Sequence, residues 1–177
     1  MNTSSVDGLT LLEILVVLAL VGILLTIAIP AYSSFVTYNR MAAEMSDFTE
    51  TLMLARSEAI KRGETVTVCT SGGSSSSCSD GASWNQGWIV FVDPDDSQSI
   101  GPTTTIIHTA PPWTGTDTLT GSGGVANAIS FSPLGILVGA GGGIITLHDA
   151  ANNVSFRRCV TIGVSGTLAQ EEGSQCP

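Results

Sequence analysis

The amino-terminal part of the chain is an apolar run, residues 9–29, that contains one charged side chain, Glu13. A helix rises about 1.5 Å per residue, so this run is long enough for the ~30 Å core of a bilayer. It is too long for the apolar region of a cleaved secretory signal, which is about 7–15 residues. We therefore predict a membrane-spanning helix over 9–29. An ionised carboxylate facing lipid is costly, so Glu13 is the first functional candidate.

A second pattern follows at helical spacing. Apolar residues recur every three or four positions, and charged residues lie between them, which predicts one apolar stripe on an amphipathic helix over 31–62. The stripe comprises Met41, Met45, Phe48, Leu52, Ala55 and Ala59. Lys61, Arg62 and Gly63 are typical of a helix end. Pro30 removes one helix hydrogen bond and is expected to kink the single long helix that spans 9–62.

The remaining residues, 64–177, are predicted to be β-rich. Short β-branched and aromatic runs are separated by Gly, Ser, Pro, Asn and Asp, the residues of turns. The predicted strands are 65–69, 88–92, 103–108, 128–131, 144–148 and 158–164. An antiparallel sheet laid on the helical stripe gives an α+β domain. The predicted organisation is a leader (1–8), a membrane helix (9–29) and one globular domain (30–177).

The net charge of the chain argues against some classes of function. The chain has 15 acidic and 6 basic side chains, a formal net charge of −9. This balance argues against a general nucleic-acid surface and is typical of an extracytoplasmic domain.

The four cysteines allow three disulfide pairings. An oxidising compartment favours disulfides, and proximity in the chain favours Cys69–Cys78 and Cys159–Cys176. The alternative is a zinc site, but no C-x-x-C spacing is present and only His108 and His148 could join it. We expect no metal and no cofactor.

Other candidate chemistry is sparse. Asp93, Asp95 and Asp96 could bind Ca²⁺, although a solvated acidic turn is the preferred interpretation because the closing Glu of an EF-hand loop is missing. The glycine-rich segment 139–143 is followed by no Lys-Ser/Thr pair, so it is interpreted as a connection. A hydrolase would need a nucleophile and base that the sequence does not supply.

The segment Gly8-Leu9-Thr10-Leu11-Leu12-Glu13 resembles the type IV prepilin signal. The resemblance implies that prepilin peptidase cuts after Gly8 and methylates the new amino terminus at Leu9. It also implies that Glu13 pairs with that terminus, or with a neighbouring subunit's terminus, during assembly. The alternative is a plain membrane anchor with an incidental Glu.

Further motifs are similar to those of the FimT/GspH family of minor pilins and pseudopilins. They are residues 54–63 (LARSEAIKRG), 66–68 (VTV), Trp84, 87–93 (GWIVFVD) and 129–135 (ISFSPLG). The family implies a type IV pilin fold and a non-enzymatic filament component. Its implied partners are other major and minor pilins or pseudopilins, the peptidase and the inner membrane, with a periplasmic domain before assembly.

Some family members carry a carboxy-terminal Gly-Arg-x-Arg motif that contacts DNA. The corresponding stretch here, 166–169 (GTLA), has no arginine. Arg157 and Arg158 are the only late basic pair, and we prefer to interpret them as strand-edge residues or salt-bridge partners. Three functions remain: an assembly subunit, a tip receptor for DNA or a surface, and a membrane-tethered enzyme. The first is favoured, in a pilus rather than a type II secretion pseudopilus.

Overall fold

The computed structural model describes residues 10–81, 83–139 and 141–177. The chain forms two compact units, Met1–Asn39 and Arg40–Pro177. Helix α1, Leu11–Arg62, contributes residues to both units. It continues through Pro30, whose carbonyl accepts hydrogen bonds from the hydroxyls of Ser33 and Ser34 at 2.9 and 3.1 Å. The kink expected at Pro30 stays a prediction.

The part of α1 in the second unit carries the predicted stripe. All six stripe residues are buried, because each points from the helix into the core. The helix ends where the sequence indicated. Gly63 adopts φ +69°, and its N–H donates to the Ala59 carbonyl at 3.0 Å. A left-handed glycine after the last turn is a common helix terminator.

Eight strands follow the helix in chain order. They are β1 (Val66–Thr70), β2 (Trp88–Val92), β3 (Ile106–Ala110), β4 (Thr118–Gly123), β5 (Ala128–Phe131), β6 (Gly143–His148), β7 (Arg158–Ile162) and β8 (Leu168–Glu172). They form two antiparallel four-stranded sheets in the orders β3-β2-β1-β5 and β4-β6-β7-β8. Short 3₁₀ turns occur at Trp84–Gln86 and Gly173–Gln175.

The six predicted strands are present, with ends that shift by up to three residues. Strands β4 and β8 were not predicted, and neither was the division into two sheets. β4 contains two glycines and buries only Leu119, while β8 is an edge strand with four exposed residues, so neither shows a clear alternation of polar and apolar positions.

One hydrophobic core joins the helix to both sheets. Phe48 packs edge-on against Trp84 and Trp88, with ring centroids 5.2 Å away in each case. The Trp88 indole donates to Thr51 Oγ1 at 3.3 Å, and the Trp84 indole donates to the Val125 carbonyl at 3.2 Å. Trp84 and Trp88 are therefore core residues whose indole N–H groups have hydrogen-bond partners.

Candidate functional site

Glu13 lies at the third residue of α1, in the first helical turn. Thr10 precedes the helix, and its hydroxyl accepts a hydrogen bond from the Glu13 N–H at 3.2 Å. The Thr10 carbonyl accepts the Ile14 N–H at 3.2 Å. Thr10 is thus the N-cap, and Thr-x-x-Glu is the capping-box pattern, a signal that our sequence analysis did not use. Gly8 and Leu9, the predicted cleavage and methylation positions, lie outside the described residues.

The helix around Glu13 has an uncovered apolar surface. Every residue from 10 to 36 is exposed, including Leu11 at 84% and Ile29 at 65%. Within the described residues, α1 is a helix long and apolar enough to cross a membrane, with a mean hydropathy of 2.9 over 18 residues. An apolar surface of this extent is typical of a segment that is covered by lipid or by other helices.

The stretch 166–169, which corresponds to the family's DNA-contacting motif, begins in the turn between β7 and β8. Gly166 adopts φ +74°, and a Cβ added there would lie 2.1 Å from the Gly135 carbonyl oxygen. Arg56 of α1 donates from Nε to that same oxygen at 2.8 Å and from Nη2 to the Ser165 carbonyl at 3.4 Å. The turn is therefore held against the Gly135 turn by close backbone packing and one guanidinium.

Arg157 and Arg158 both contact acceptors within the chain. Arg157 donates to the Cys176 carbonyl at 3.3 Å and to Asn152 Oδ1 at 3.0 Å. The Arg158 guanidinium lies 3.2 Å from a Glu172 carboxylate oxygen across the β7–β8 pair. Arg158 is thus a salt-bridge partner, whereas Arg157 bonds neutral acceptors, and β7 is an interior strand and not an edge strand.

Two disulfides tie loops to the sheets. Cys69 at the end of β1 is bonded to Cys78, and Cys159 of β7 is bonded to Cys176 near the carboxy terminus. These are the pairings that proximity in the chain favours. The second bond holds the segment after β8 against the strand that carries Arg158.

The acidic segment after β2 divides into buried and exposed carboxylates. Asp93 is buried, and its carboxylate accepts hydrogen bonds from Thr67 Oγ1 at 2.8 Å and from the backbone N–H groups of Ser97 and Gln98, each at 3.0 Å. Asp95 and Asp96 are exposed. Among the described residues, no group of three or more His, Cys, Asp or Glu side chains is arranged to hold a metal ion. Asp93 instead organises its own loop.

A buried charged cluster joins α1 to the segment before β4. The Asp117 side chain is 1% exposed and accepts two hydrogen bonds from Arg40, at 2.7 Å from Nε and 3.0 Å from Nη2. Glu44 lies one helical turn after Arg40, and one of its oxygens is 4.0 Å from Arg40 Nε. Sequence analysis missed this cluster because Asp117 is 77 residues from Arg40 in the chain.

A long amino-terminal helix, exposed and apolar at its start and packed on antiparallel sheets over its later part, defines the type IV pilin fold. The family model described as Type II transport protein GspH matches residues 44–166. Because the match covers more than half of the sequence, the chain belongs to the GspH family of minor pilins and pseudopilins.

Solved structures show the same fold. The type IV minor pilin FimU of Pseudomonas aeruginosa PAO1 is 18% identical, with a TM-score of 0.64, 78% of this chain covered and 93% of FimU. The minor pseudopilin EpsH of the Vibrio cholerae Type 2 Secretion System is 14% identical, with a TM-score of 0.52, 74% of this chain covered and 95% of EpsH. A comparison with curated proteins found no match.

Proposed function

We propose that this protein is a non-enzymatic minor pilin that takes part in the assembly or initiation of a type IV pilus, at or near the filament tip. The observation that carries this proposal is the exposed apolar helix with Glu13 in its first turn, on a chain with the fold of minor pilins. All four cysteines are in disulfides, so none is a free thiol nucleophile.

Glu13 is proposed to act through charge pairing. Cleavage after Gly8 leaves a free, methylated ammonium at Leu9, four residues before the Glu13 carboxylate. A carboxylate in an apolar environment is tolerated when it is paired, and a lone one is strongly disfavoured. A subunit whose Glu13 pairs with its own or a neighbouring amino terminus therefore enters a helical bundle more readily than one with an unpaired charge.

The competing function is an H-type minor pseudopilin of a type II secretion system. It is favoured by the description of the matching family and by the similarity to EpsH. Both systems use the same kind of amino-terminal helix, so the Glu13 mechanism applies to either one. A DNA receptor at the pilus tip has less support, because Arg157 and Arg158 are occupied by contacts within the chain.

Replacing Glu13 by Ala or Leu tests the assembly role. We expect the variants to reach the membrane in normal amounts, since the apolar run is intact, but to be depleted about tenfold or more from sheared filaments if pairing contributes at least ~1.4 kcal/mol. Both pools are quantified by immunoblotting. Thr26→Val is the matched control, because Thr26 is a polar residue of the same run whose hydroxyl bonds only its own helix, at the Ile23 carbonyl. Unchanged incorporation of the Glu13 variants would refute the mechanism.

Deletion of the gene in the native host separates the two systems. We expect fewer surface pili with normal secretion of exoproteins, and restoration of pili when the gene is returned. Normal piliation with a secretion defect would instead establish the pseudopilin function.

Mass spectrometry of the filament protein tests the proposed processing and should find Leu9 as the methylated first residue. Retention of residues 1–8 in filament protein would contradict the processing scheme.

A further inference from the structure

The cluster of Arg40, Glu44 and Asp117 contains two carboxyl groups and one guanidinium, whose single positive charge can neutralise only one carboxylate. Asp117 accepts two hydrogen bonds, from Arg40 Nε at 2.7 Å and from Arg40 Nη2 at 3.0 Å. This bidentate arrangement is the strongest geometry for a guanidinium and a carboxylate. The Glu44 Oε1 atom lies farther away, 4.0 Å from Arg40 Nε. The guanidinium therefore neutralises Asp117 first and Glu44 only weakly.

The surroundings of the Glu44 side chain disfavour its ionised form. Its side chain is 16% exposed. Its Oε2 atom is buried and accepts no hydrogen bond. A buried carboxylate oxygen without a donor is costly, and a second carboxylate nearby increases that cost. A protonated Glu44 carboxyl removes both penalties, because it is neutral and its O–H can be donated to Asp117.

We propose that Glu44 and Asp117 share a proton in the folded protein, forming a proton-dependent latch between α1 and the start of β4. With the proton bound, Arg40, Glu44 and Asp117 form one hydrogen-bonded group that holds the segment before β4 on the helix. When the proton leaves, two carboxylates face one guanidinium and the contact weakens. The latch lies within the second unit and is independent of Glu13.

Electrostatics of the cluster agree with this geometry. Burial, followed by the charge of the nearby Asp117, raises the pKa of Glu44 to about 7, and Arg40 only partly opposes the shift. Other ionisable side chains occur on the elements around this cluster. They are Asp47 on the exposed side of α1, His148 on β6 opposite Thr118, and Arg158, Glu171 and Glu172 on β7 and β8 around Met45.

The sign of the pH effect follows from the direction of the shift. A carboxyl whose folded pKa is raised binds its proton more tightly in the folded state, so protonation stabilises the fold. This contribution is complete below the usual pKa of 4.5 and is lost as pH rises to about 7. The latch is therefore closed in mildly acidic surroundings and weakened at neutral and alkaline pH.

The test is urea unfolding of the full chain in detergent at pH 5, 6, 7 and 8, followed by tryptophan fluorescence. All three tryptophans, Trp84, Trp88 and Trp113, belong to the second unit, so they report its unfolding. Glu44→Gln replaces the carboxyl by a neutral amide of the same shape. Glu50→Gln is the matched control, because Glu50 is an exposed carboxylate on the same helix.

We expect the unfolding constant of the wild type, relative to Glu44→Gln, to rise about tenfold or more from pH 5 to pH 8, which corresponds to a folded pKa raised by about one and a half units or more. Glu50→Gln should show the wild-type pH profile. Equal profiles for Glu44→Gln and the wild type would overturn the latch. The Glu44 side-chain carboxyl carbon, followed by NMR in the wild type, gives a second test. Titration of Glu44 at or below the midpoint of Glu50 would also overturn the proposal, even if the variant failed to fold.

Discussion

Gly166→Ala tests whether the β7–β8 turn is held by close packing against Gly135. The substitution adds one methyl group at a backbone with φ +74°, where it would lie 2.1 Å from the Gly135 carbonyl oxygen and 3.1 Å from Arg56 Nε. Gly63→Ala is the matched control. Its φ is +69°, and nothing lies within 4 Å of the added methyl group. The two changes share the conformational penalty and differ in the space available.

The magnitude follows from two contributions. A left-handed backbone costs an alanine about 1–2 kcal/mol, and this applies to both variants. At Gly166 the Gly135 turn must also move, which lengthens or breaks the 2.8 Å hydrogen bond from Arg56 to the Gly135 carbonyl. A hydrogen bond to a charged group is worth about 1.5–3 kcal/mol. We therefore expect losses of about 2.5–5 kcal/mol for Gly166→Ala and about 1–2 kcal/mol for Gly63→Ala.

The assay is urea unfolding of the full chain in detergent, with tryptophan fluorescence as the probe and unfolding free energies extrapolated to water. Arg56→Ala in the Gly166→Ala background completes a double-mutant cycle. Because the clash already disrupts the Arg56 contact, the second change should cost less than it does in the wild type. Equal losses for Gly166→Ala and Gly63→Ala would refute the close approach of the two turns.

Two further predictions concern the carboxy-terminal part of the chain. The first removes the second disulfide with the double change Cys159→Ser/Cys176→Ser, which opens a loop with a sequence separation of 17. From the loop-entropy relation we expect the unfolding free energy to fall by about 3 kcal/mol. A loss below about 1 kcal/mol would contradict the stabilising role of this bond. For DNA, we expect no salt-sensitive gel shift of the full chain, since Arg157 and Arg158 contact acceptors within the chain and the net charge is −9. A shift at low salt that Arg157→Ala/Arg158→Ala abolishes would restore the receptor hypothesis.

Local patterns in the sequence predicted the elements that have strong periodicity. The stripe of α1 was predicted from steps of three and four residues, and each of its members is buried. Strand β2 was predicted with the bounds observed, because its five apolar residues are buried on both faces. The helix end at Gly63 followed from residue chemistry within one turn. In each case the signal and the structure involve residues that are close together in the chain.

Some functional candidates could be recognised from the sequence, and others could be recognised only from the structure. Glu13 was selected as a candidate from the sequence, since one charge in an apolar run is conspicuous without a structure, and its role in assembly stays a prediction. The roles of Arg56 and Glu44 were missed, because their partners lie far away in the chain. Arg56 donates to a carbonyl 79 residues away. Glu44 faces Asp117, whose segment carries no periodic pattern of its own.

The sequence by itself determined where the long helix lies, where its apolar run lies and which stripe faces the core, because these depend on the spacing of apolar side chains. Only the tertiary structure decided that the strands divide into two sheets, that Arg56 holds two turns together, and that Arg40 is shared by two carboxylates. The physical reason is that hydrogen bonds and charge pairs act over a few ångströms in space. The tertiary fold brings these groups within that range, although they lie far apart in the sequence.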